Sequence, residues 1–265
     1  MKKQIFKSIL VVFYILITTA YAGAKPLDAE TVESSIAKLT DQLYIGQCEV
    51  SNSLYRSFLS DLKAKNKTEE LNIARVDSSG WIASEPKVEG FVKTYHKDKQ
   101  YTELPVVNIS YEAAVLFCKW LTETYNGYPE KKYSNVTFTL PTEKEWLTGA
   151  MNTAGDAMYS TGAELRKDHR LPLANYRRTD IPSYADGNSF MGDIMAPVKS
   201  YWPNEKGTYN MSGNAAEMLL EKGVTKGGSF MDTEEGLKIS TKGTYSHSSS
   251  KIGFRFVMHV EKVKK

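Results

Sequence analysis

Polar and apolar positions along the chain alternate between helical spacing and short extended runs. From Asp28 to Leu43 the apolar residues Val32, Ile36, Leu39 and Leu43 fall at helical intervals, which predicts a short helix. Leu43 to Val50 reads as a strand that ends at Ser51-Asn52-Ser53, a cluster suited to capping a helix with Leu54, Tyr55, Phe58, Leu59 and Leu62 on one face. The arrangement recurs: an extended run from Leu104 to Ile109 meets Ser110, and Ala113, Ala114, Phe117, Cys118 and Leu121 then form a stripe that Asn126-Gly127 closes. Leu140-Pro-Thr-Glu-Lys-Glu-Trp146 carries the sharpest local signal, because Thr142 and Glu145 have the spacing of a capping box that turns Trp146 inward. Residues 152–210 are rich in Gly, Pro, Asn, Asp and Tyr, which implies long loops. Beyond Val224 come short strand-like pieces, and Ile252 to Met258 alternates as a half-buried strand does.

The first residues follow another grammar. Lys2, Lys3 and Lys7 precede an apolar run from Ile9 to Ile17 and the small residues Ala20 to Ala24, the three parts of a secretory signal peptide over residues 1–24. Retention as an N-terminal anchor is the alternative. No Cys follows the run to accept a lipid. Cleavage removes three of the 34 basic residues and no acidic one, leaving 31 against 31 acidic. That neutral balance argues against nucleic acid as a partner, and no later stretch approaches the ~20 apolar residues of a membrane span. The expected location is secreted or periplasmic. There Cys48 and Cys118 could pair, although both lie in apolar patterns and read more simply as two buried thiols. Four Asn-x-Ser/Thr sequons, at Asn66, Asn108, Asn135 and Asn210, are expected to stay unmodified because the leader is of bacterial style.

Common catalytic signatures are missing. The chain has no phosphate-binding glycine loop and no Gly-x-Ser-x-Gly elbow. Its four His, at 96, 169, 247 and 259, are scattered singly and read as surface or turn residues rather than metal ligands. Oxygen chemistry is better served: Tyr209 to Glu217 places Asn, Gly and a carboxylate in one tight loop, the donor set of a hard cation as well as of an ordinary turn.

Six motifs in order resemble those of the formylglycine-generating enzyme family, the sulfatase-modifying-factor domain. They are Glu49-Val-Ser-Asn52 with Tyr55 and Phe58, Pro105 to Ala113 with Cys118 and Trp120, Leu140 to Trp146, Tyr209 to Glu217, Gly227-Gly-Ser-Phe230, and Gly253-Phe-Arg255. The resemblance implies an α+β, C-type-lectin-like fold of short helices on small antiparallel sheets, with much irregular loop. It divides the chain into a signal peptide (1–24), a lead-in (25–42) and the domain (43–262). It also implies structural Ca²⁺, one ion at Asn210, Gly213, Ala215 and Glu217 and another at Asn175, the Tyr176 carbonyl and Asp186.

The catalytic part of the resemblance fails. Family oxidases hold copper with a Cys pair after the Gly-Gly-Ser motif, and the matching positions here are Asp232 and Leu237. Thr139 and Tyr159-Ser-Thr-Gly162 also depart from the family pattern, and Phe256 stands where some relatives carry a Cys that pairs with the one at 118. No copper and no catalytic residue are therefore expected. Relatives without the centre include proteins of bacterial gliding and type IX secretion machinery, so the resemblance implies a Ca²⁺-stabilised binding or assembly module with an envelope or secreted protein as partner. A glycan ligand follows from fold analogy alone. The rival reading is an oxidoreductase acting on a protein or peptide through another metal site, for which Asp232, Glu234, Glu235 and His247 are the candidates.

Overall fold

The computed structural model describes residues 27–81, 90–152, 155, 157–167, 171–177 and 195–261. The signal-peptide expectation, His169, Asp186 and residue 262 lie outside them. Asp28 caps a first helix, α1 (Ala29–Ser34), by accepting from the Thr31 amide at 2.8 Å. Helical spacing predicted more, but the helix stops at Ser34 and the chain enters β1 (Ile36–Lys38). Thr40 Oγ1 accepts from the amides of Gln42 and Leu43, which turns the chain into β2 (Leu43–Gly46), antiparallel to β1. Strand pairing that buries Ile36 and Ala37 thus overrides the local period. It also joins the lead-in to the domain's sheet.

β2 ends four residues short of Val50, because Arg255 takes the carbonyls of Gly46 and Gln47 that would have continued the ladder. Ser51 then caps α2 (Asn52–Ala64), whose Tyr55, Phe58 and Leu62 are buried as the spacing predicted. Two short helices follow, α3 (Thr68–Ile73) and α4 (Phe91–Thr94). Ser110 caps α5 (Tyr111–Gly127), which buries Ala113, Ala114, Phe117, Cys118 and Leu121. The two long helices meet through aromatic rings, with Phe58 edge-on to Phe117 at 5.6 Å. After β3 (Val136–Thr139), the Thr142–Glu145 capping box opens α6 (Glu143–Ala150) and Trp146 is fully buried.

The loop-rich middle holds the two-residue pair β4 (Arg166–Lys167) and β5 (Leu171–Pro172). Then come β6 (Ala216–Met218), β7 (Val224–Lys226), β8 (Gly243–Thr244), β9 (Ile252–Gly253) and β10 (Val257–Val260). One sheet has the order β1-β2-β10-β3, all antiparallel. The other runs β8-β7-β6-β9, antiparallel except for the parallel β6–β9 contact.

The closing run is not one half-buried strand. It leaves the second sheet at β9, bends through Phe254-Arg255-Phe256 and enters the first as β10, so every residue from 252 to 258 is buried. Phe254 packs on Phe117 at 5.2 Å and Phe256 on Phe138 at 5.4 Å. Arg255 is held between the sheets.

Cys48 and Cys118 are both free thiols, so the disulfide alternative is set aside, and Cys48 is only half-buried. Its thiol is pushed up to about 12, first by burial and then by Glu49, leaving it un-ionised at neutral pH. His96 lies in the turn after α4, as expected, but its ring is largely enclosed. Its ring lies against the start of α2, with Nδ1 3.0 Å from Asn52 Oδ1 and Nε2 buried without a hydrogen bond among the described residues. Among the described residues no helix is long and apolar enough to cross a membrane.

Candidate functional site

The loop from Tyr209 to Glu217 lies where the two sheets and α6 converge, and its polar groups are almost wholly enclosed. Glu217 on β6 has no exposed surface. Its Oε1 accepts from Arg255 Nη2 at 2.5 Å, and its Oε2 accepts from Arg255 Nε at 2.6 Å and Trp146 Nε1 at 2.7 Å. Arg255 is equally buried and donates further to the carbonyls of Gly46 (2.9 Å), Gln47 (3.1 Å) and Tyr209 (2.8 Å). One guanidinium therefore ties β2, β6 and the loop together, using the planar fork that lysine lacks.

A second buried carboxylate, Glu49, receives no hydrogen bond from that guanidinium. Its donors are amides: Asn214 Nδ2 at 2.8 Å and Asn210 Nδ2 at 3.2 Å. Two carboxylates thus share one cation, and burial, partly offset by Arg255 and reinforced by Glu217, raises Glu49 from 4.5 to about 8. Asn214 is fixed in turn, because its Oδ1 accepts from the Ala196 amide (2.7 Å) and from Asn175 Nδ2 (3.2 Å). Asn210 and Asn214 both adopt positive φ, 54° and 66°, a conformation Asn tolerates better than most residues. Between them Gly213, at φ 88°, passes so close to Asn175 that a Cβ would sit 2.3 Å from its carbonyl oxygen. Gly213→Ala is accordingly expected to cost at least about 2 kcal/mol in urea unfolding, well above a typical surface substitution.

This geometry bears on the cation set expected from the sequence. Both Glu217 oxygens already accept hydrogen bonds, Oε1 from Arg255 and Oε2 from Arg255 and Trp146, so Arg255 meets the charge that an ion would otherwise meet. Asn210 turns its amide toward Glu49 and the Val198 carbonyl. Gly213 and Ala215 lie in the same loop. Asn175 and Tyr176 stand beside it: the Asn175 carbonyl accepts from the Asn214 amide, and the Tyr176 hydroxyl meets Arg166 and Glu234. Their third member, Asp186, is outside the described residues.

Positions 232 and 237 are filled for structural ends. Asp232 Oδ2 accepts from the amide of Ser229 at 2.8 Å and from its hydroxyl at 2.6 Å, closing the turn after Gly227-Gly228. Leu237, in a 3-10 turn over Glu234–Leu237, is fully buried with Tyr159, Leu165, Ala174 and Tyr176, and touches the space left by Gly213 and Gly228. The rival metal candidates do not converge. Glu234 pairs with Arg166 at 3.1 Å, Glu235 with Lys238 at 2.5 Å, and His247 bonds Ser246 at the surface. Among the described residues no group of three His, Cys, Asp or Glu stands within reach of one ion.

The model of the sulfatase-modifying factor enzyme 1-like domain matches residues 18–260. The chain belongs to this family. A formylglycine-generating enzyme of Thermomonospora curvata is 31% identical over 120 residues, which is 44% of this chain and 33% of that protein. One of Bos taurus is 24% identical over 261 residues, covering 81% of this chain and 65% of the relative. The chain thus spans between one third and just under two thirds of these curated relatives. Solved structures share the sulfatase-modifying-factor fold. CarF aligns with a TM-score of 0.55 at 21% identity over 83% of this chain and 87% of that one. The Treponema denticola variable protein 1 gives 0.53 at 20% over 82% and 84%, and PvdO from Pseudomonas aeruginosa 0.52 at 17% over 82% and 80%.

Motif matching found the family, yet it attached no role to Arg255 or Glu49 and passed over Asn214. The available signal was a run of chargeable or amide residues inside otherwise apolar motifs, Glu49, Asn214, Glu217 and Arg255, a pattern that points to partners buried together.

Proposed function

We propose that this sulfatase-modifying-factor-like domain is a non-catalytic binding or assembly module, exported to the bacterial envelope, whose fold has kept the family scaffold without its copper centre. One observation carries the reading: where family oxidases place two thiols, Asp232 is spent on closing a turn and Leu237 on filling the core. Cu(I) selects soft sulfur ligands, and neither side chain supplies one. The apolar leader and the neutral charge balance of the remaining chain support export and a protein partner rather than nucleic acid. Calcium belongs to the proposal through the Asn175–Tyr176–Asp186 set, since Arg255 meets the charge of Glu217. A bound ion there would supply structural cross-linking and no redox step.

Metal analysis of the purified protein after loading with copper, iron and calcium, followed by gel filtration, tests the reading. Calcium near one per chain, no retained copper or iron, and oxygen uptake at background with a cysteine-containing peptide are the expected results. Stoichiometric copper, or peptide-dependent oxygen uptake, overturns it.

A further inference from the structure

A cleft of about 410 Å³ whose lining includes neither Asp232 nor Leu237 is formed by Asn152, Ser160 and Thr161 together with Trp202, Pro203 and Glu205. Three of the four Trp are buried, Trp81, Trp120 and Trp146, whereas Trp202 is 57% exposed. An indole left in water on a rigid support is a ready contact surface. The support is rigid because Asn204 Oδ1 accepts from the Lys206 and Thr208 amides, both at 3.0 Å, and from the Thr208 hydroxyl at 2.9 Å. Its Nδ2 donates to the Gly149 carbonyl at 2.8 Å and so fastens the loop to the end of α6. Tyr201, just before the indole, is held at φ 62°, a strained setting for an aromatic residue and one found more often at ligand clamps than elsewhere.

The lining narrows the ligand chemistry. Ser160 is only 8% exposed and its amide is used by Ser212, but its hydroxyl has no partner among the described residues. Among the described residues of the lining Glu205 is the one charged side chain, and an acidic group disfavours phosphates and carboxylates. Beyond the indole, Leu173 and Pro203 are the apolar members. That is too little for a helix or an apolar peptide, which needs several anchors.

We propose that this cleft binds a neutral, hydroxyl-rich ligand, a carbohydrate ring stacked on Trp202 with a ring hydroxyl bonded to Ser160. The C–H face of a pyranose carries partial positive charge toward the negative face of the indole. A sugar hydroxyl both donates and accepts, so it suits Ser160 whichever way that hydroxyl turns. The inference uses none of the residues at 232–237 and stands apart from the non-catalytic reading.

Because the other three Trp are buried, acrylamide quenching of fluorescence reports Trp202. Maltotriose, cellotriose and chitotriose, each titrated to about 20 mM, are the probes, with a proline-rich decapeptide as the second arm. At least one trisaccharide is expected to protect the exposed indole saturably. Trp202→Ala should abolish binding measured by calorimetry, and Ser160→Ala should weaken it about three- to tenfold, the range for one hydrogen bond, with circular dichroism unchanged in both. Protection by none of the sugars, protection by the peptide alone, or calorimetric binding that survives Trp202→Ala overturns the proposal.

Discussion

Arg255→Met is expected to leave no cooperatively folded protein. The substitution strands Glu217 in a place with no solvent and only Trp146 as donor, and stranding a buried carboxylate costs about 3–5 kcal/mol. The carbonyls of Gly46, Gln47 and Tyr209 lose their guanidinium donors as well, each at about 1–3 kcal/mol if no other donor reaches it. Together these losses match the whole stability of an ordinary domain, about 5–15 kcal/mol. Arg255→Lys should fail almost as badly, since one ammonium cannot serve both Glu217 oxygens and three carbonyls. Adding Glu217→Gln to Arg255→Met removes the stranded charge and should recover part of the loss. The readout is the urea midpoint by circular dichroism. A single Arg255→Met variant that unfolds within a few tenths of a molar of the parent would show that the pair contributes nothing.

The helices that carry this pair to its place were legible because helix information is local. Ser51, Ser110 and Thr142 each mark a start, and the residues three and four places on reveal the buried face before any tertiary contact is known. α1 shows the limit of that logic: Val32, Ile36, Leu39 and Leu43 have helical spacing, but Ile36 belongs to a strand because β2 is available to pair with it. The closing run failed for a related reason. Alternation was read as one wet and one dry face, whereas this segment passes between two sheets and is dry on both.

The site was legible at the level of motifs and not of partners. Nothing near Glu217 in sequence announces that Arg255 and Trp146 will donate to its carboxylate, so this buried pair was not legible there. Leu237 shows the reverse case. Its lack of sulfur was plain from the sequence, while its role as the plug of a small cluster between two positive-φ glycines needed coordinates. Trp202 left no periodic signal at all, because it sits in a loop that a single side chain, Asn204, folds upon itself.

Stability should be flat from about pH 4.5 to 6.5 and fall from there to pH 9, because two buried groups oppose each other on the acid side. Glu49 is raised from 4.5 to about 8, by burial first. A carboxyl with a raised folded-state value contributes stability that is fully present below 4.5 and lost as pH rises through about 8, at most about 5 kcal/mol. His96 is lowered from 6.5 to about 4, by burial first and then by Arg56. Its contribution is present above 6.5 and lost as pH falls toward 4, about 3 kcal/mol. Between 4.5 and 6.5 the folded chain therefore holds one proton more at Glu49 and one fewer at His96 than the unfolded chain, and the slopes cancel. Above 6.5 Glu49 dominates, joined near pH 9 by Cys48 and Cys118, whose thiols burial also raises. Glu49→Gln keeps an acceptor for Asn214 and cannot ionise, so it should remove the decline between about pH 6.5 and 8.5, leaving only the small thiol contribution near pH 9, and uncover a fall in stability below pH 6.5. His96→Gln should do the opposite, leaving stability that rises steadily toward acid. Urea midpoints of both variants across pH 4–9 decide the matter. An alkaline decline that persists undiminished in Glu49→Gln would mean that Glu49 is ionised in the folded protein, its charge met by Arg255 across the asparagine amides.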